Sequence, residues 1–160
     1  MPGVSSYERQ LIEAALVSRE SQLDPGTALV LIPEVYDFHQ VCNVAIWPAL
    51  ATSGFRPIRG ALPFDSESWL GDVGRWVRGA EVIIADVTGR NPDVLYALGL
   101  AHGLGRCPLL IAQDPDELPF HLQELRCIGY RSHPDGMWAL REELSRALRV
   151  FLAGIQAPQL

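Results

Sequence analysis

The sequence contains no lysine, and all 13 of its basic side chains are arginines. The arginines are dispersed along the chain and the net charge is −6, whereas a nucleic-acid groove needs a clustered basic face. We therefore expect no nucleic-acid partner. A small anionic ligand remains compatible with this composition, because one arginine and a helix N-terminus are enough to hold a phosphate.

Cysteine is scarce as well. The three cysteines, Cys42, Cys107 and Cys127, are odd in number and far apart, so their spacing matches no metal site. We interpret them as buried thiols, since free cysteine behaves as a small core hydrophobe. The four histidines fall in separate predicted elements, and we expect neither a bound metal ion nor a cofactor.

Long apolar runs are also missing. The longest, over 28–33 and 81–85, are far shorter than the roughly 20 residues that a membrane helix needs. The first residues lack the basic region and apolar stretch of a secretory signal. These absences lead us to expect a cytoplasmic protein that makes no contact with membranes.

What the sequence does contain is an alternation of apolar strands and amphipathic helices. Continuous apolar runs bounded by polar loops are typical of strands buried on both faces of a parallel sheet. Such runs predict strands over 28–32, 55–59, 81–86, 108–112 and 127–130. Helical spacing predicts helices over about 5–22, 38–52, 92–104 and 135–153, with a further helix capped by Asp65 or Ser66. Pro48 is expected to kink or break the second of these helices.

This alternation predicts an α/β fold. We expect one domain over 1–160, with its core over about 28–153. It should hold a doubly wound, five-stranded parallel sheet in the order 2-1-3-4-5, with helices on both faces and an extra N-terminal helix.

In an open parallel sheet, ligands bind in the crevice beyond the carboxyl ends of the strands. That rule selects the loops after the first, third and fourth predicted strands. Their residues form the set of candidate ligand-binding positions: Pro33, Tyr36, Asp37, Thr88, Gly89, Arg90, Asn91 and Gln113.

Asp86 ends a strand that is otherwise apolar. We expect its carboxylate at the rim of the crevice, where it can accept hydrogen bonds from ribose hydroxyls. The alternative is that Asp86 caps the turn by accepting from backbone N–H groups near Thr88 or Gly89.

The turn after Asp86 leads directly into a helix whose first residue is Pro92. The N–H groups of this turn and the helix dipole predict an anion site. The guanidinium of Arg90 is expected to add charge-assisted hydrogen bonds to the same anion. The alternative is an ordinary capped turn. The nucleotide hypothesis requires that Asp86 and Asn91 face a shared hollow. The glycines within this helix, Gly99 and Gly103, are interpreted as points of close helix–sheet packing.

The run Ile84–His102 resembles the nucleoside 2-deoxyribosyltransferase-like superfamily, which overlaps structurally with bacterial TIR-like nucleotide-binding domains. The resemblance is carried by Asp86-Val87-Thr88-Gly89-Arg90-Asn91-Pro92 and by Tyr96-Ala97-Leu98-Gly99. Weaker matches extend it over about 28–130. The resemblance implies a Rossmann-like fold, transferase or hydrolase chemistry at an N-glycosidic bond, and a nucleoside, nucleotide or NAD-like ligand. It also implies a homo-oligomer.

The resemblance assigns catalytic positions to Asp86, Tyr96 and Ala97. In the family, a glutamate nucleophile occupies the position of Ala97, while a second carboxylate and a tyrosine hold the ribose. Alanine cannot attack the anomeric carbon, and losing such a nucleophile costs about 10³-fold or more in rate.

Three explanations for Ala97 stay open. The domain binds without catalysis, another carboxylate such as Asp86, Asp93 or Glu34 acts instead, or a Glu→Ala change has disabled an active enzyme. We therefore expect a nucleotide- or nucleoside-binding domain with impaired catalysis. The alternatives are an active or inactivated deoxyribosyltransferase or N-glycosidase, and a protein-interaction module without a ligand.

Overall fold

A computed structural model describes residues 24–33, 36–59, 69–123, 125 and 127–156. The extra N-terminal helix predicted over 5–22, the cap at Asp65 or Ser66, and Glu34 lie outside these residues. The elements, in chain order, are β1 (Asp24–Leu31), α1 (Tyr36–Val41), a π-helical turn (Cys42–Ile46), α2 (Trp47–Thr52), β2 (Arg56–Arg59), α3 (Trp69–Gly79), β3 (Ala80–Asp86), a 3₁₀ turn (Thr88–Arg90), α4 (Pro92–Gly103), β4 (Leu109–Ala112), a second 3₁₀ turn (Pro115–Glu117), α5 (Phe120–Gln123), β5 (Cys127–Gly129) and α6 (Pro134–Gln156).

The five strands form one sheet in the order β2-β1-β3-β4-β5, and every pair is parallel. This confirms the predicted fold class and strand order. The register pairs Asp86, the last residue of β3, with Ile111 of β4. Because these two strands end side by side, the loops that follow them meet at one edge of the sheet.

Helices cover both faces of the sheet, as predicted. Apolar side chains that alternate along each strand divide into two buried layers, one on each face. The first layer joins α1, the π turn, α2 and α6 to the sheet through Ala28, Val30, Val82, Ile84 and Ile111. The second joins α3, α4 and α5 to it through Leu29, Leu31, Ile83, Ala85 and Leu110.

The helix expected over 38–52 differs from prediction at its start and in its middle. It begins at Tyr36, and its central turn is π-helical, with the Trp47 N–H donating to the carbonyl of Cys42. Pro48 has no N–H for the carbonyl of Val44 and its ring clashes with that carbonyl in a regular helix. A widened turn just before Pro48 removes this conflict, so the expected disruption takes the form of a π turn inside a continuing helix.

Strand β1 begins at Asp24, four residues earlier than predicted. Gly26 adopts a left-handed φ of 75°, and the register of β1 on β3 shifts between Asp24 and Ala28. The Gly26 N–H donates to the Glu81 side chain at 2.5 Å. A bulge at Gly26 therefore extends the strand.

Two of the smaller expectations were wrong. Cys42 is buried and Cys127 is half-buried, but Cys107 is exposed because it lies in the turn before β4. Gly99 and Gly103 are exposed, and a Cβ at either would meet nothing within 4 Å. The small residues that face the sheet from α4 are alanines instead, Ala97 and Ala101.

No helix in the described ranges is both long and apolar enough to cross a membrane.

Candidate functional site

Asp86 lies inside the protein at the end of β3, with no exposed surface. One carboxylate oxygen, Oδ1, accepts from the Thr88 N–H at 3.0 Å and from the Thr88 hydroxyl at 2.5 Å. The other, Oδ2, accepts from the Tyr130 hydroxyl at 2.6 Å. Asp86 therefore does not lie at the rim of a crevice, contrary to the ribose-binding expectation. The structure shows the turn-capping alternative.

Burial dominates the protonation equilibria around Asp86. Desolvation raises the pKa of the Asp86 carboxyl above its usual 3.8, although hydrogen bonds from Thr88 and Tyr130 act in the opposite direction. Burial, followed by the charge of Asp86, raises the pKa of the Tyr130 phenol, so Tyr130 keeps the proton that it donates. The same two causes raise the pKa of Cys127 to about 11, so this residue is a thiol rather than a nucleophilic thiolate at neutral pH.

The hydrogen bonds of Asp86 continue into the loop after β4. The Gln113 N–H donates to the Thr88 hydroxyl oxygen at 3.0 Å, and the Gln113 side-chain amide donates to the Tyr130 oxygen at 3.4 Å. We call Asp86, Thr88, Gln113 and Tyr130 the carboxylate network. This network fixes the ends of β3, β4 and β5 relative to one another.

A hollow of about 520 Å³ lies beyond the carboxyl ends of β3 and β4. We call it the edge hollow. Its volume is within the range of small-molecule sites. Mostly polar residues of the two loops line it: Val87, Thr88, Gly89, Arg90, Gln113, Asp114, Glu117 and Leu118. Four of the predicted ligand-binding positions, Thr88, Gly89, Arg90 and Gln113, line this hollow, and their role in binding stays a prediction.

Arg90 connects the two loops that form the edge hollow. Its Nε donates to the Glu117 carbonyl at 2.8 Å, and its Nη2 donates to the same oxygen. Gly89 and Arg90 both have left-handed backbones, with φ of 68° and 54°, which costs about 1–2 kcal/mol at the arginine. Two N–H groups of the Arg90 guanidinium, which the sequence analysis assigned to a phosphate, are therefore already bonded within the chain.

The N-terminus of α4 is closed by Asn91. Its side-chain oxygen accepts from the N–H groups of Asp93 and Val94 at 3.0 and 3.2 Å. Its carbonyl accepts from Leu95 at 3.0 Å. The donors of the first helical turn therefore have partners within the chain, and the capped turn that was the alternative is present. Neither Asn91 nor Asp86 is among the described residues that line the edge hollow. The arrangement that the nucleotide hypothesis required, with both side chains facing a shared hollow, is therefore not present.

The three positions that the resemblance assigns to catalysis are not brought together. Ala97 is fully buried among the second layer of the core, on the opposite face of the sheet from Asp86 and Tyr130. Tyr96 is 46% exposed. The tyrosine that contacts Asp86 is Tyr130, and neither Tyr96 nor Ala97 lines the edge hollow.

Of the three predicted positions after β1, only Pro33 has a described side chain. Pro33 is buried and does not line the edge hollow. Tyr36 and Asp37 lie in the first turn of α1 rather than in a loop, consistent with the preference for an acidic residue near a helix N-terminus. Their side chains lie outside the described part of the chain.

Three residues of the site were missed from the sequence, Tyr130, Glu117 and Leu118, while Asp114 lies in a loop that the crevice rule selected but was not singled out. Tyr130 follows β5, so the crevice rule applied to the fifth strand would have selected it. Asp114 accepts from the Asp116 N–H at 3.2 Å and caps the second 3₁₀ turn. An Asp-Pro pair directly after a strand signals such a turn.

A second cavity, of about 450 Å³, lies at the opposite end of the sheet, and we call it the apolar cavity. It is formed by the start of β4 and the second half of α6, through residues such as Leu109, Ala147, Val150 and Phe151. No candidate site residue lines it.

Within the described ranges, no group of three or more histidine, cysteine or acidic side chains is placed to hold a metal ion. Comparison of the chain with protein-family models, with curated proteins and with solved structures finds no match. The superfamily membership suggested by Ile84–His102 stays a prediction.

The raised pKa of Asp86 predicts how stability depends on pH. The folded protein holds the Asp86 proton more tightly than the unfolded chain does, so this group's contribution to stability is present at low pH. It is lost as the pH rises from about 3.8 through the folded pKa. Relative to Asp86→Asn, the free energy of unfolding of the native protein should fall by up to about 1.4 kcal/mol per pH unit in that window.

Urea denaturation of both proteins from pH 4 to pH 8 measures this slope. Tyr130→Phe removes a hydrogen bond that lowers the pKa of Asp86. In this variant the fall in the free energy of unfolding should therefore extend to higher pH. A difference between native protein and Asp86→Asn that is flat or rises with pH would contradict the buried, desolvated carboxyl.

The position of Ala97 predicts the outcome of restoring the glutamate. Ala97→Glu should lower the free energy of unfolding by about 3–5 kcal/mol at pH 7, because an unpaired carboxylate enters the apolar layer between α4 and the sheet. Ala97→Gln keeps the shape without the charge and should cost less. An Ala97→Glu protein that is as stable as the native one and releases free base from a nucleoside would show that the alanine replaces a working nucleophile.

Proposed function

We propose that the domain binds a nucleoside- or nucleotide-like small molecule in the edge hollow and does not turn it over. One observation carries this proposal: polar side chains from two loops, Thr88 and Gln113 with Asp114 and Glu117, gather around a single hollow. That hollow lies at the carboxyl edge of the sheet, where doubly wound folds bind their ligands.

The chemistry of the edge hollow suits a small ring-bearing ligand. Val87 and Leu118 supply apolar surface, and the remaining lining residues supply hydrogen-bonding groups, a combination typical of such sites. The carboxylate network holds Thr88 and Gln113 in place before any ligand arrives. A site that is already ordered loses less conformational entropy on binding.

The nucleoside class itself is supported by the resemblance of Ile84–His102 to the deoxyribosyltransferase-like superfamily. The segment places Thr88, Gly89 and Arg90 in the edge hollow, whereas its Asp86 and Asn91 serve the fold. The proposal therefore differs from the nucleotide hypothesis drawn from the sequence, which needed Asp86 and Asn91 at the hollow: its ligand contacts come from the middle of the motif. A homo-oligomer rests on the resemblance alone and stays a prediction.

The absence of turnover is supported by three of the positions that the sequence analysis offered for catalysis; a fourth, Glu34, lies outside the described residues. Ala97 has no reactive side chain and is buried on the other face of the sheet. Asp86 is surrounded by its three donors and has no exposed surface. Asp93 does not line the edge hollow.

A thermal-shift and calorimetric titration tests the proposal with nucleosides, nucleoside monophosphates and NAD. A ligand at 100 times its dissociation constant should stabilise the protein by about 2.7 kcal/mol. For a chain of this size, that free energy corresponds to a rise in Tm of about 5–11 °C. Chromatography of the same mixtures should detect no free base.

Two glutamine variants locate the binding. Gln113→Ala should weaken binding by about tenfold, the effect of losing one or more ligand hydrogen bonds. Gln40→Ala, an exposed glutamine on α1 that does not line the edge hollow, should bind like the native protein. The proposal fails if no member of the panel binds, or if the two variants bind equally well.

A further inference from the structure

The apolar cavity occupies a step at the amino edge of the sheet. The register pairs Asp24 of β1 with Ala80 of β3, whereas Leu109, the first residue of β4, pairs with Ile84. Strand β4 therefore begins further into the sheet than β3 does, by the distance from Ala80 to Ile84, which is about 13 Å in a strand. The end of α4 and the second half of α6 lie beside this step and complete the wall of the cavity.

The wall of the apolar cavity exposes large hydrophobic side chains to water. Four such side chains are exposed among the described residues, and two of them line this cavity: Leu125 is 37% exposed and Val150 is 69% exposed. The cavity also includes Glu143 and Arg146, which bond each other at 2.6 Å, so their charges compensate one another. A concave apolar surface with paired charges favours an apolar occupant over a charged one.

The segment that precedes β1 carries a matching apolar surface. The helix predicted over 5–22 has four apolar residues at the spacing of one helical face, which we call the apolar stripe: Leu11, Ile12, Ala15 and Leu16. The stripe precedes Asp24 by 8 to 13 residues, which corresponds to about 12–20 Å in a helix. Leu109 lies about 16 Å from Asp24, because two strand spacings and the setback of β4 separate them. The apolar cavity is therefore within reach of the stripe.

We propose that the segment over 5–22 folds back from Asp24 along the amino edge of the sheet and packs its apolar stripe into the apolar cavity. The occupant of the cavity is then this chain itself. The contact removes Leu125, Val150 and the stripe from water together, which is the source of its stability. The proposal does not depend on the proposed function, because no described residue lines both the apolar cavity and the edge hollow.

Cys107 reports whether the cavity is covered, because it lines the cavity and its own residue surface is otherwise exposed. Cys42 is buried, and burial raises the pKa of Cys127 to about 11, so neither reacts readily at pH 8. The full chain is treated with iodoacetamide, an uncharged reagent, and mass spectrometry identifies the modified cysteine. Cys107 should react at least about tenfold more slowly in the native protein than in the urea-unfolded chain, since the segment has to open first.

Two pairs of glutamine variants identify the cover. Leu16→Gln removes an apolar side chain from the stripe and should accelerate the modification of Cys107 by about tenfold. Val17→Gln makes a similar change on the opposite face of the predicted helix and should leave the rate unchanged. Val150→Gln acts from the wall of the cavity, at a side chain exposed enough to tolerate it, and should accelerate the reaction like Leu16→Gln. Its control is Arg149→Gln, at an exposed position that does not line the cavity.

Three results would overturn the proposal. If Cys107 reacts as fast in the native protein as in the unfolded chain, the cavity is open. If Cys107 is slow but neither Leu16→Gln nor Val150→Gln accelerates it, the apolar stripe is not the cover. If its protection weakens over about a hundredfold dilution, the occupant is a second copy of the chain. Protection that is independent of concentration and lost in both variants supports the proposal.

Discussion

The buried carboxylate of Asp86 holds the carboxyl edge of the sheet together. Placing a carboxylate where no water reaches it is costly, and only donors that replace the water make it tolerable. Thr88 supplies two such donors from the loop after β3, and Tyr130 supplies one from the end of β5. Removing Asp86 would leave all three donors without their acceptor, so the geometry of the adjacent loops depends on this side chain.

This role explains why the site differs from the one that the resemblance implies. A carboxylate with both oxygens engaged inside the protein cannot also receive ribose hydroxyls at the surface. The polar rim is instead formed by the residues that Asp86 positions, Thr88 and through it Gln113, together with Asp114 and Glu117. Arg90 then joins the two sides of the edge hollow through the Glu117 carbonyl. The motif thus serves the fold with its first residue, and the proposed ligand contacts come from its middle.

The sheet was predictable because its pattern is local and repeated. The apolar run before Asp86 is buried on both faces, as is typical of a parallel sheet between two helical layers. The strand order followed from the common five-stranded winding. Part of the site was predictable as well, because the rule that ligands bind beyond the carboxyl ends of parallel strands selected Thr88 and Gln113. Which way Asp86 points depends on strand register and alternation, where a shift of one residue reverses the face, and no local pattern shows that Tyr130 lies opposite it.

The loops held by Asp86 are proposed to form the ligand site. An amide chemical-shift titration with the nucleoside that raises Tm most tests this directly. The amide signals of Thr88, Gly89 and Gln113 should move with a common dissociation constant, while those of Leu109 and Val150 at the apolar cavity should stay fixed. Shifts confined to the apolar cavity, or a titration in which Thr88 and Gln113 do not move, would contradict it.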